Sequence, residues 1–211
     1  MTTQPMFPLQ SALLPGELLP LRIFEPRYSQ LVRDCLAMTD PAFGVVLISR
    51  GREVGGGDVR SDVGALARIT EYADYGTGRY QLKTVVGERI RVLEWLDDDP
   101  YPRAVIEPWP DEPGPLVTHE RIGEVVDKIL ALFERIVSTS GGQLRPEALE
   151  VEPEVAEDPS RHIYELATRV PMGQADRYAV LAAPTLAERV DALADAIETV
   201  SAMVEFQISD E

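Results

Sequence analysis

The segment Phe7–Tyr28, FPLQSALLPGELLPLRIFEPRY, is apolar yet broken by Pro8, Pro15, Pro20 and Pro26. Each proline fixes φ and removes a backbone donor, so the segment cannot be a central strand along its whole length. The sequence predicts short extended pieces joined by rigid corners, then a helix opened by Pro26 at its first position. Tyr28, Leu31, Val32, Cys35 and Leu36 share one face of that helix, which makes it amphipathic.

The chain downstream has two textures. Between Pro41 and Pro100 there is no proline, and strand patterns dominate: Phe43–Ser49, Leu66–Tyr72, Arg79–Val86, then Ile90 to Val92 after an interruption at Gly87, and finally Arg103–Ile106. Turn chemistry separates them at Gly51, Gly55–Gly57, Asp74-Tyr75-Gly76 and Asp97-Asp98-Asp99-Pro100. Short strands with glycine turns predict a small, strongly bent sheet or barrel. From Pro100 to Pro115 there are six prolines in sixteen residues, and the lobe boundary is placed there, giving lobes 1–115 and 116–211.

After that corner the period becomes helical. Ile122, Val126, Ile129, Phe133 and Ile136 mark one face of a helix over 118–137. Residues 143–159 hold six acids and one base and read as an acidic loop. Ser160 is expected to cap the next helix, which carries Ile163, Leu166 and Ala167. A turn at Pro171-Met172-Gly173 leads to a shorter helix with Tyr178 and Leu181. Thr185 and Glu188 form a capping box before a long helix marked by Leu186, Val190, Leu193, Ile197, Val200 and Val204. That spacing also suits a coiled-coil seam, although packing on the other helices is the expected use.

Charge is lopsided. Residues 1–96 are neutral, whereas 97–211 carry the whole formal charge of −16. Such a field repels nucleic-acid phosphates and anionic lipid. No apolar run reaches the roughly 18–20 residues of a membrane span. The start, MTTQPM, lacks the basic and apolar regions of a secretory signal, and a single cysteine excludes an internal disulfide. A cytoplasmic location is the expectation.

Four separate blocks together resemble the substrate-binding N-terminal domain of Lon-type proteases, a domain that also occurs alone. They are residues 7–28, FGVVLISRG (43–51), VGALARITEYADYGTGRYQLKTVVGERIRV (63–92) and YPRAVI (101–106). Gly87 and Arg89 match the family's glycine–arginine signature, and IYELATRVPMGQADRYAVLAAPTLAERVDAL resembles its helical tail in pattern. The resemblance implies an α+β fold, a small PUA-like β-pseudobarrel followed by a helical bundle. It also implies binding of unfolded or extended polypeptide, or of a protein partner. The phosphate-cradling G-x-x-x-x-G-K-[ST] loop of the full proteases is missing, so only the recognition module is expected to carry over.

Side-chain chemistry points the same way. His119 and His162, with one cysteine, are too few ligands for a structural zinc site. Cys35 lies on an apolar helix face, and the serines lack a G-x-S-x-G context. No metal or cofactor is expected. The expected peptide-binding residues are Leu19, Leu21, Phe24 and Tyr28. Glu25 and Arg27, with Arg89 as a further partner, are expected to clamp the opening segment to the barrel. Arg79, Lys83, Arg89 and Arg91, on the odd-numbered face of their strands, suggest an alternative, an RNA-binding module. A small-molecule enzyme with a deep polar pocket is a further alternative. The reading is a non-catalytic protein-binding module.

Overall fold

A computed structural model describes residues 1–51, 59–140 and 158–209. The glycine run at 55–57 and all but the last two residues of the acidic stretch 143–159 lie outside them. The chain divides into two units, Met1–Pro110 and Asp111–Glu211.

The first unit contains β1 (Thr2–Leu9), β2 (Leu18–Ile23), α1 (Pro26–Leu36), β3 (Ala42–Arg50), β4 (Val59–Asp74), β5 (Tyr80–Leu96) and β6 (Arg103–Pro108). They form a mixed six-stranded sheet in the order β2-β5-β4-β3-β1-β6. β6 also pairs with the second half of β5, closing β5-β4-β3-β1-β6 into a ring and leaving β2 outside on the first half of β5. This is the pseudobarrel that the family resemblance implies, but not a regular barrel.

The prolines explain the opening strands. Thr2–Pro5 pair antiparallel with β6, whereas Met6–Leu9 pair parallel with β3. Each half of β1 is laddered on one side only, so Pro5 and Pro8 can turn their donorless nitrogens to the unpaired side. The strand therefore begins at Thr2, earlier than its apolar pattern shows. Pro26 opens α1 as expected.

Successive residues of β1 feed two cores. Phe7 stacks on Tyr28 with ring centroids 4.1 Å apart and tilts against Phe43 at 5.8 Å. These rings join Leu31, Val32, Cys35 and Leu82 in the cluster beneath α1. Met6 points the other way and meets Val46, Ile90, Val92, Ala104 and Ile106. Each fully buried side chain of this kind contributes about 1.5–3 kcal/mol. β3 and β4 approach so closely that a Cβ on Gly64 would lie 2.1 Å from the Val45 carbonyl oxygen.

β5 does not stop at Gly87. It continues through a register shift: Val86 faces Ala67, but Arg89 faces Ala65. The extra residue flips the alternation, so Arg89 is buried rather than on an outward odd-numbered face.

The second unit holds α2 (His119–Ser140), α3 (Pro159–Arg169), α4 (Gln174–Ala182) and α5 (Leu186–Ser209). Asp158, not Ser160, caps α3, accepting from the Arg161 amide at 3.2 Å with Pro159 in the first turn. The capping box of α5 is formed. The Glu188 amide donates to Thr185 Oγ1, and the Glu188 carboxylate accepts from the Thr185 amide, each at 3.2 Å.

α2 and α5 run in the same direction. Three ion pairs, Arg121–Asp191, Lys128–Glu198 (2.6 Å) and Arg135–Glu205, recur every seven residues and always join positions 70 apart. The buried seam has the same heptad spacing: Ile122, Val125, Ile129 and Leu132 on α2, with Val190, Leu193, Ile197 and Val200 on α5. Val126 and Phe133, expected on the main apolar face, are only half-buried on its flank. The coiled-coil spacing of α5 is thus used within the chain.

Arg189 on α5 is 0% exposed. Its guanidinium makes a bidentate contact with Asp111, donates to Ser160 Oγ at 2.6 Å and covers the Tyr164 ring at 4.3 Å. It ties the start of this unit to α3 and α5.

Candidate functional site

β2 is an edge strand. It pairs with β5 from Leu18↔Val85 to Ile23↔Tyr80, and among the described residues no strand covers its other side. Its side chains alternate cleanly. Leu19 and Leu21 are half-buried and Ile23 is buried, all against the core beneath α1. Leu18, Pro20 and Arg22 point outward and are exposed, and Phe24, in step with them just past the strand, is 68% exposed. Pro20 suits this place, because an edge strand tolerates a missing donor.

The outer row continues across two more strands. Arg22 faces Gln81, and Gln81 faces Ala73 on β4. One step along, Arg79 bonds Tyr75 across the hairpin, the Tyr75 amide donating to the Arg79 carbonyl at 2.9 Å. Tyr75 is 67% exposed, and its hydroxyl meets Gln81 Oε1 at 3.0 Å. Arg22, Phe24, Tyr75, Arg79 and Gln81 thus line one open concavity of about 460 Å³, with Ile23 and Tyr80 at its base.

The hairpin that carries Tyr75 and Arg79 is tied down. The Gly76 amide donates to Asp74 Oδ1 at 2.8 Å. The Ser29 hydroxyl on α1 reaches the Gly78 carbonyl. Gly78 has φ +76°, and a Cβ there would press on Ser29 Oγ at 3.2 Å, so glycine serves both the turn and the contact.

Charge on this face is uneven. Lys83 is neutralised by Glu71 at 2.6 Å. Arg68, on the adjoining strand, meets Asp40 and Glu88. No side chain among the described residues pairs with Arg22 or Arg79. By continuation of the β2–β5 register, Arg79, just before β5, stands opposite Phe24 and diagonal to Arg22.

The residues expected from sequence fall into three environments. Phe24 is on the exposed face. Leu19 and Leu21 sit on the core side of the same strand. Tyr28 is 5% exposed beneath Phe7. Of the expected clamp, Arg27 Nε donates to Glu25 at 3.1 Å, and its guanidinium covers the Tyr28 ring at 4.5 Å. Arg89 lies on the Trp109 ring at 4.5 Å, and Arg91 shares that ring at 4.1 Å. The expected basic stripe is therefore dismantled: Arg79 is exposed, Lys83 is paired, and Arg89 and Arg91 cover one indole.

Sequence reasoning missed Leu18, Pro20 and Arg22. Period-two alternation anchored on the buried Ile23 would have found them.

Reactive groups elsewhere are restrained. Burial, and then the nearby charge of Asp34, pushes the Cys35 thiol up to about 12, and the thiol donates to the Ala42 carbonyl at 3.4 Å. It stays protonated at neutral pH and is no nucleophile. Of the Asp97–Asp99 run, Asp98 is engaged by Arg60 at 2.7 and 2.9 Å. Among the described residues no group of three His, Cys, Asp or Glu side chains could hold a metal ion. No described helix is long and apolar enough to cross a membrane.

Comparison with known proteins gives a consistent result. The family model of the ATP-dependent protease La (LON) substrate-binding domain matches residues 3–199. Lon protease 2 of Thermus thermophilus is 31% identical over 147 residues, covering 69% of this chain and 18% of that protein. The Lon protease of Anaeromyxobacter dehalogenans is 32% identical over 106 residues, covering 49% and 12%. The chain thus spans less than a fifth of the length of either relative. Among solved structures, a Lon N-terminal domain protein from Xanthomonas campestris superposes with a TM-score of 0.65 at 26% identity, covering 92% of this chain and 98% of that one. The N-terminal domain of a Lon protease from the Mycobacterium avium complex gives 0.62 at 15% identity, covering 93% and 98%, a likeness of fold.

Proposed function

The chain belongs to the Lon substrate-binding domain family, and from that premise we propose that it recognises extended or unfolded polypeptide along the free edge of β2. The observation that carries the reading is the outer row Leu18, Pro20, Arg22 and Phe24. Large apolar groups are left in water on a strand with an unpaired backbone edge. An incoming chain can add to that edge through its own amides and carbonyls while its side chains pack beside the row. Leu19, Leu21 and Ile23 hold the strand from behind, and Tyr28 fixes α1 to the core. Glu25 and Arg27 clamp the corner that presents Phe24, and Arg89 braces the barrel through Trp109. The module binds and performs no bond chemistry. It works in the cytoplasm on a protein substrate or partner, with no ATP hydrolysis, metal or cofactor of its own.

The test is fluorescence anisotropy with a labelled, permanently unfolded polypeptide. Phe24→Ala and Leu18→Ala should each weaken binding by about five- to thirtyfold, as loss of an apolar anchor worth about 1–2 kcal/mol does. Melting temperature should hold, because both side chains are exposed. Unchanged affinity in the double variant would remove β2 as the binding edge.

A further inference from the structure

We infer that the outer face of β2 and its neighbouring hairpin selects segments that carry a carboxylate two residues from an aromatic or aliphatic side chain. This rests on the proposed recognition along the β2 edge and adds to it a chemical preference. The spacing follows from the strand. Arg22 and Phe24 are two apart on the same face, and a chain laid beside β2 repeats that period. Side chains of the added strand that face outward would stand next to Arg22 and Phe24 in turn, so an acid and an apolar group two positions apart meet a cation and a ring.

The charge supports the choice. Residues 1–96, which hold this face, are neutral although the chain carries −16 overall, and Lys83 and Arg68 nearby are matched by acids. Arg22 and Arg79 have no side-chain partner among the described residues, although they flank one concavity. An anion on this face lowers the repulsion between two like charges. A carboxylate on the strand added beyond β2 stands beside Arg22, with Arg79 one strand further in adding attraction at longer range, while its neighbour two residues on packs on Phe24. The hairpin is already fixed through Ser29 and Gly78, so little ordering is required when a peptide arrives. Single-stranded nucleic acid would also stack on exposed rings. It would gain only two cations here and would leave the free backbone edge of β2 unused.

The experiment compares two short labelled peptides with the full chain, one containing Asp-x-Phe in an extended context and one with Asn-x-Phe, beside the unfolded polypeptide and an oligouridylate. The Asp peptide should bind about three- to tenfold more tightly than the Asn peptide, with the advantage shrinking as salt rises. Arg22→Gln with Arg79→Gln should abolish the difference between the two peptides and leave the circular dichroism melt unchanged. Equal binding of the two peptides by the native chain would overturn the acidic preference while leaving β2 recognition standing. Binding of the unfolded polypeptide but of neither peptide would also overturn it. Failure of all the polypeptides would sink both readings together. Oligouridylate bound more tightly than the Asp peptide, and lost in the double arginine variant, would overturn it in favour of nucleic acid.

Discussion

Asp111 and Arg189 offer an asymmetric test of how the helical unit is held. The Arg189 guanidinium is fully buried, whereas the Asp111 side chain keeps 26% of its exposure. A guanidinium cannot shed its charge on burial. In Asp111→Ala, then, a buried cation loses its anion and, among the described residues, keeps Ser160 Oγ at 2.6 Å and the Tyr164 face at 4.3 Å. Breaking a buried pair in this direction costs about 3–5 kcal/mol, and the two surviving contacts favour the lower end. Arg189→Met removes the cation, fills much of its volume and leaves a carboxylate that water already reaches, so about 1–2 kcal/mol is expected. For a unit of this size about 3 kcal/mol lowers the melting temperature by roughly 12 °C or more. Thermal melts followed by far-ultraviolet circular dichroism read the helices directly. Asp111→Ala should fall furthest, and adding Arg189→Met to it should restore part of the loss. If Arg189→Met alone proves as damaging as Asp111→Ala, the argument from buried charge is wrong.

Two further outcomes follow from the first unit. Gly64→Ala should cost about 3 kcal/mol or more, because its new methyl meets the Val45 carbonyl, a backbone atom that cannot move aside; a urea midpoint within error of the native one would refute this. Alkaline stability should also decline in a defined window. Cys35 is raised from 9.0 to about 12 by burial and then by Asp34. Tyr101 moves the same way through burial and its 2.6 Å bond to Asp34. The folded state holds these protons more tightly, so their contribution is complete below the unfolded values. It is lost as pH climbs, at about 1.4 kcal/mol per unit per group. Denaturant midpoints measured from pH 8 upward should fall above about pH 9, less steeply in Cys35→Ala. A flat profile would contradict the burial argument.

Much of the architecture was legible because local rules and tertiary packing agree. Pro26 opens α1, Thr185 and Glu188 cap α5, and the β-branched run at 43–49 forms β3. The failures have equally local causes. The β5 bulge after Val86 moves Arg89 inward, which no strict alternation foresees. Asp158 outcompetes Ser160 because Pro159 takes the first helical position. On α2, Val125 and Leu132 replace Val126 and Phe133 at the seam because the direction of α5 decides which face is covered, and that direction is not written in α2. The candidate face was half visible. Phe24 lies on it, whereas Leu19 and Leu21, chosen for their hydrophobicity, turn to the core side of β2. The unmatched charge of Arg22 and Arg79 depends on which acids the fold brings near, information no single stretch contains.

The equal direction of α2 and α5 has a consequence for the growing polypeptide. Matching positions are 70 residues apart, so at about 5–20 residues per second the ribosome needs roughly 4–14 s to deliver each partner. Throughout that interval the Ile122–Leu132 stripe is made but unclaimed. Newborn chains thus pass through a period of exposed grease just after the first unit has emerged, and shielding by a chaperone during that interval would matter more than it does for the finished molecule.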